Sequence, residues 1–242
     1  MAKRLFDIFV SFFGLSVLWP FLLLFMLLVW LQDFFSPFYI APRARRRGET
    51  FNMIKLRSMV KNADKKGGAS TAANDQRITW VGRLIRKTKF DEVPQLWNVL
   101  IGDMSLVGPR PQVMRDVALY TEEENHLFDV RPGITDFSSI IFADEGEILK
   151  GSENPDLKYN QIIRPWKSRL GLFYARNNSL LVDLQLIILT VMSAVSRQRA
   201  LTDVQSILRR LGAPVELIKI ACRKDSLVPY PPPGASEVES RW

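Results

Sequence analysis

The chain has 242 residues, enough for one large domain or one domain with appendages. Its 33 Lys and Arg against 25 Asp and Glu give a net charge of +8, which favours polyanionic partners: nucleic acid, acidic lipid headgroups or phosphorylated substrates. One cysteine, Cys222, and one histidine, His126, exclude a disulfide framework, a cysteine-based zinc site and a two-histidine metal centre.

The first element is apolar. Ile8 to Leu31 carries no charge, and at helical rise it would extend roughly 36 Å, enough to cross a bilayer. Lys3 and Arg4 precede it and Arg43, Arg45, Arg46 and Arg47 follow, so both flanks prefer the cytoplasmic side. Pro20 removes a backbone donor at mid-run and predicts a kink between two short arms. A cleaved signal peptide fits poorly, because the run is long and lacks a small-residue cleavage site. A plain spanning helix and a re-entrant helix-break-helix remain; the flanks and Pro20 favour the second. Asp7 would then sit hydrated at the membrane rim.

A charged segment follows, from Ile40 to about Asn178. The turn from Pro42 to Glu49 reads either as a solvated basic flank near headgroups or as a source of phosphate-binding arginines. Phe51 to Met59 reads as a short strand presenting Lys55 and Arg57 on one face. Ala63 to Asn74 reads as a mobile loop. Ile78, Val81, Leu84 and Ile85 have helical spacing, with Arg77, Arg83, Arg86 and Lys87 on the polar side. Val93, Leu96, Trp97 and Leu100 predict an amphipathic helix with Pro94 in its first turn. Asp91 and Glu92 then lie at a helix N-terminus, where they are either simple caps or a nucleophile and acid/base pair beside a phosphate site. Arg110 stands between Pro109 and Pro111, a rigid presentation suited to bidentate phosphate recognition. Arg131-Pro132-Gly133 repeats that pattern.

The tail is apolar again. Leu184 to Ser196 is too short to span a bilayer and predicts an interfacial or core helix, with Asp183 in its first turn. Leu201 to Arg223 predicts helix interrupted near Gly212-Ala213-Pro214, and the proline-rich end from Tyr230 predicts disorder.

Together these stretches resemble the bacterial sugar transferases that act on polyprenyl phosphate, the monotopic phosphoglycosyl transferases. The resemblance rests on Lys3-Arg4-Leu5-Phe6-Asp7, Lys55-Leu56-Arg57-Ser58-Met59, Asp91 to Val99, Gly102 to Pro111, and Arg131 to Thr135, in family order over roughly residues 3 to 195. It implies transfer of a sugar 1-phosphate from a UDP-sugar to polyprenyl (undecaprenyl) phosphate with release of UMP, at the first membrane step of a bacterial surface glycan or glycoprotein glycan. It implies Asp91 as the nucleophile of a covalent phosphosugar intermediate and Glu92 as a partner that holds Mg²⁺ or handles a proton. Arg110, Arg57 and Lys55, then Arg86 and Arg131, are candidates for neutralising phosphate, and Asp91 and Glu92 for holding the metal.

The expected fold is mostly α with a few short β-strands (α+β). Residues 1–39 form the re-entrant membrane helix broken at Pro20, 40–200 a catalytic domain on the membrane surface, and 201–242 a partly disordered extension. The expected place is the cytoplasmic face of the inner membrane, on anionic lipids, without nucleic acid, homodimerisation being left open. Two departures stand out. Trp19 replaces the family's usual small residue before the proline, and Asp136 to Glu145 replaces a common Gly-Trp-Ala-Gln-Val-Asn-Gly-type stretch, so donor specificity does not transfer from relatives. The competing readings are a membrane-anchored glycosyltransferase releasing UDP, and a non-catalytic basic scaffold.

Overall fold

The computed structural model describes residues 1–65, 67–68 and 70–240. It is mostly helical, with two small sheets. Helix α1 (Ala2–Asp33) is one 32-residue element that continues through Pro20 and closes on Phe34 in the left-handed region, φ 56°. The two expected arms are therefore joined. Proline's fixed φ is compatible with helix and costs one backbone hydrogen bond, and the apolar run on both sides continues the helix.

Both ends of α1 are fastened to one body. Near the N-terminus, Lys3 donates to the Val107 carbonyl and the Tyr174 hydroxyl, each at 3.0 Å, and pairs with Asp183. Arg4 donates to the Val99 and Leu100 carbonyls at a helix C-terminus, where a cation is favoured. Asp7 is buried and accepts from Ser105 Oγ at 2.9 Å and Leu106 N–H at 3.1 Å. It is an internal tether and not the hydrated rim charge expected. At the other end Val29 is fully buried with Leu56, Val81 and Ile85. The middle of α1, from Ser16 to Phe21, is mostly exposed.

Strands β1 (Phe38–Ala44) and β2 (Thr50–Leu56) form an antiparallel hairpin, with Phe38 opposite Leu56 and Ala44 opposite Thr50. Its basic turn is engaged by protein: Arg45 pairs with Asp103 and Glu49, and Arg46 donates to the Asp129 carbonyl. Lys66 and Ala69 of the expected 63–74 loop lie outside the described residues. Helix α2 (Trp80–Lys87) starts at Thr79, whose side chain accepts from Gly82 N–H.

Helix α3 (Gln95–Ile101) departs from its expected packing. Gln95, Asn98 and Val99 are buried, while of the expected apolar side Trp97 is exposed and Val93, Leu96 and Leu100 are half-buried. Asn98 faces inward because it braces the hairpin: its Nδ2 donates to the Asn52 carbonyl and its Oδ1 accepts from Ile54 N–H. The apolar side instead meets α1, where Leu96 lies against Gly14.

Strands β3 (Ser105–Val107) and β4 (Gly133–Thr135) pair in parallel. Around them stand α4 (Met114–Val117), α5 (Phe137–Ile141), α6 (Glu145–Leu149), α7 (Pro155–Ile162), α8 (Arg164–Asn177) and α9 (Leu180–Val195). Asp183 sits in the first turn of α9, buried against Lys3 and the Tyr174 hydroxyl. Helices α10 (Arg197–Arg210) and α11 (Val215–Cys222) place Leu201, Val204, Leu208 and Leu217 in the same core as Phe137 and Leu170, so residues 201–222 join the main body. Residues 223–240 form no helix or strand, yet they are strapped down. Tyr230 stacks on Trp166 at 4.5 Å, and the Pro231, Pro233 and Glu239 carbonyls accept from Arg169, Thr121 and Gln161. The expected disorder of the tail is not seen up to residue 240; its last two residues lie outside the described chain.

Candidate active site

Lys89, at φ 55°, ends the run from α2, and Phe90–Glu92 makes one tight 3-10 turn before Pro94 and α3. The Phe90 ring packs on Phe25 of α1 at 4.8 Å between centroids, so the membrane-type helix itself positions this turn. Asp91 and Glu92 then face a cleft of about 850 Å³.

Glu92 Oε1 accepts from Lys55 Nζ at 3.3 Å and from Arg110. Burial would push this carboxyl up, but the Arg110 and Lys55 charges hold it well below the usual carboxylate range. Asp91 differs. Burial raises it, the adjacent Glu92 charge adds to that, and the pull of Lys55 and Arg86 does not cancel the rise. No side-chain hydrogen bond or ion pair reaches the Asp91 carboxylate among the described residues. Two neighbouring carboxylates thus have distinct environments, one locked by two cations and one unengaged. Burial also lowers Lys55 and Arg86; the Arg86 Nε donates to Ser58 Oγ at 2.9 Å.

Arg110 owes its placement to a close backbone crossing. Gly108 N–H donates to the Thr135 carbonyl and Gly133 N–H to the Pro109 carbonyl, both at 3.0 Å. A Cβ on Gly133 would lie 2.0 Å from Gly108 N, so only glycine admits this approach. The Arg131-Pro132-Gly133 turn therefore buttresses the Arg110 loop from behind. Arg131 itself donates to the Gly102 carbonyl at 3.1 Å and does not line the cleft. Arg57 is also absent from it. Its two terminal nitrogens grip both oxygens of Asp33 at 2.6 Å and its Nε donates to the Ser36 carbonyl, clamping the end of α1.

Of the residues singled out by sequence, the fold brings Asp91, Glu92, Lys55, Arg86 and Arg110 together and leaves Arg57, Arg131 and Pro20 elsewhere. Sequence reasoning missed Lys167, which reaches the cleft from α8 and pairs with Glu145. It treated Arg83 and Lys87 as surface decoration, although both line the cleft with Lys89. Ser138, Ser139 and Phe142 of the divergent 136–145 segment form another wall.

No group of three or more His, Cys, Asp or Glu side chains forms a metal cage among the described residues. Asp91 and Glu92 still offer hard oxygen donors of the kind that hold a divalent ion through one or two carboxylates plus substrate phosphates. The donor set fits an ion shared with a phosphorylated substrate.

The sequence pattern of the family described as bacterial sugar transferase matches residues 1–197. The chain is 36% identical over 191 residues to the protein named "Uncharacterized sugar transferase EpsL" of Bacillus subtilis strain 168, covering 79% of this chain and 86% of that one. It is 36% identical over 208 residues to exopolysaccharide production protein PSS of Rhizobium leguminosarum bv. phaseoli, covering 81% and 96%. It is 33% identical over 207 residues to an undecaprenyl-phosphate glucose phosphotransferase of Komagataeibacter xylinus, covering 83% of this chain and 37% of that longer protein.

Proposed function

The chain belongs to the bacterial sugar transferase family, and from that premise we propose that it moves a sugar 1-phosphate from a UDP-sugar to polyprenyl phosphate. The observation that carries the proposal is the unengaged Asp91 carboxylate beside a Glu92 locked by Lys55 and Arg110, in a cleft rich in cations.

In the first half-reaction an Asp91 oxygen attacks the phosphorus that bears the sugar. The bond from that phosphorus to the UMP oxygen breaks, UMP leaves, and an aspartyl phosphosugar forms. In the second, an oxygen of polyprenyl phosphate attacks the same phosphorus, the bond to Asp91 breaks, and polyprenyl diphosphate sugar departs. An anionic nucleophile approaching an anionic diphosphate needs fixed positive charge, which Arg110, Lys55 and Arg86 supply without reorganising. A Mg²⁺ ion held by Asp91 and Glu92 would neutralise further charge on the diphosphate.

The membrane follows from the acceptor, whose phosphate sits at the bilayer surface on an apolar chain. Helix α1 packs on α2 and α3, and beside its own exposed apolar residues those helices expose Trp80, Leu84, Trp97 and Ile101. With both ends of α1 fixed to one body, we read the helix as inserted from one side, the cytoplasmic face of the inner membrane. Detergent-solubilised protein, polyprenyl phosphate, Mg²⁺ and a panel of UDP-sugars test the reaction. UMP with a lipid-linked sugar diphosphate is the expected outcome; UDP release would point to direct glycosyl transfer and overturn it.

A further inference from the structure

Behind the Glu92–Arg110 pair lies a second, smaller pocket of about 130 Å³ between the hairpin, α3, α4 and α7. It opens onto the cleft past Lys55, Arg110, Glu145 and Lys167, which line both. Its own lining includes Arg43, Gln95, Gln112, Asp116 and Tyr159.

Two of these residues have hydrogen-bonding capacity to spare, although the charges of Arg115, Arg164 and Arg43 act on Asp116. Asp116 is 6% exposed, and no hydrogen bond or ion pair engages its carboxylate among the described residues. Gln95 is 1% exposed, and its Nε2 finds no acceptor. A buried donor or acceptor left empty costs stability, so native proteins keep few of them without a use. Here a strong acceptor and an amide donor line one small space with a second amide, a hydroxyl and a guanidinium. The Tyr159 hydroxyl donates to Gln112 Oε1 at 3.4 Å and keeps its own lone pairs available.

That inventory suits a ring of hydroxyl groups. A nucleobase is held chiefly by stacking, and Tyr159, the one aromatic side chain of the lining among the described residues, is buried with the Lys167 ammonium 5.2 Å from its ring centre. Position agrees. The cations at the mouth, Lys55 and Arg110, touch Glu92, next to the nucleophile. The attacked phosphorus carries the sugar directly, whereas the nucleoside lies one phosphate further away.

We propose that this pocket receives the pyranose of the donor, with Asp116 accepting hydrogen bonds from its hydroxyls. The proposal rests on the phosphosugar transfer above and adds the place where the sugar is read.

The test is binding by titration calorimetry of wild type, Asp116→Asn and Tyr159→Phe, with UDP-glucose, UDP-galactose, UDP-N-acetylglucosamine and UMP. Asp116→Asn is expected to weaken the best-bound UDP-sugar about tenfold or more and to flatten the preference among the three, with UMP affinity changed by less than about twofold. Tyr159→Phe, which keeps the ring in the core, should show the same pattern at about threefold. Retained UMP affinity reports a folded site in each variant. UMP affinity falling in parallel with the donors would place the nucleoside in the pocket and overturn the proposal. Unchanged binding of every ligand, or a wild type that does not discriminate the three donors, would overturn it equally. Product identity is scored separately: UDP in place of UMP counts against the reaction, while the pocket is judged on the affinity ratios.

Discussion

Arg223 Nη2 lies 3.1 Å from Asp144 Oδ2, and this pair ties the C-terminus of α11 to the wall of the cleft. Arg197 holds the other oxygen of Asp144 at 2.7 Å, and the Arg223 guanidinium also covers Phe142, 5.4 Å from its ring centre. Both arginines lie at or beyond the end of the family match at residue 197. Arg223→Ala should therefore lower kcat/KM for the donor about three- to tenfold while costing about 1 kcal/mol of stability. Arg223→Lys should recover part of the loss. Steady-state kinetics beside thermal unfolding check this; an equal loss in the Lys variant would argue against charge pairing.

Asp91 and Glu92 should respond differently to amide substitution. Asp91 has no partner to lose, so Asp91→Asn should fold and bind vesicles like the wild type, while turnover drops about a thousandfold or more. Glu92→Gln removes the counter-charge of Lys55 and Arg110, so it should weaken donor positioning as well as chemistry. Mass spectrometry of protein mixed with donor alone checks the first claim: the phosphosugar adduct should form on the wild type and be missing from Asp91→Asn.

The two arginines grouped by sequence should separate. Arg57→Ala breaks a two-pronged pair with Asp33 and should cost about 2 kcal/mol of stability with little change in donor KM. Arg110→Ala strips the buried Glu92 of a counter-charge, so it should lower the melting temperature as well, but unlike Arg57→Ala it should cut kcat/KM by about a hundredfold or more. Melting curves and kinetics measured on both variants decide; a catalytic defect in Arg57→Ala without destabilisation would return that residue to the site.

Asp116 gives a pH signature. Burial pushes its carboxyl up to about 6, above its ordinary range. An acid raised in the folded state is stabilising while protonated, and that advantage is lost as pH rises through about 4 to 6. Asp116→Asn carries no such charge. It should match the wild type near pH 4 and exceed it by about 1–3 kcal/mol near pH 7. Denaturant melts at the two pH values check the sign.

Much of this was legible in the chain, for reasons of local chemistry. The helical spacing of Val81, Leu84 and Ile85, Pro94 at the start of α3, the alternating strand at Phe51 and Met53, and the carboxylates ahead of α3 are short-range signals. What escaped depends on distant partners. The apolar stripe of α3 promised burial, but Asn98 is drawn inward by backbone groups of Asn52 and Ile54. Arg57 and Arg110 look alike along the chain; Asp33 claims one and Glu92 the other. Lys167 comes to the cleft only because α8 crosses behind it, and the emptiness around Asp116 is a property of space that no spacing of residues announces.

The anchoring of Lys3 has a consequence for biosynthesis. Its partners include Val107, Tyr174 and Asp183, so the first turn of the first helix is completed by residues that leave the ribosome about 100 to 180 positions later. Until then the N-terminal turn of the most apolar segment lacks part of what fixes it, although the other end is already held through Leu56, Arg57, Val81 and Ile85. Contacts of such long sequence separation form late and slowly. A nascent chain stopped before α3 should therefore leave the first turns of α1 to lipid or chaperone, and one stopped before α9 should lack the last of those anchors, Asp183.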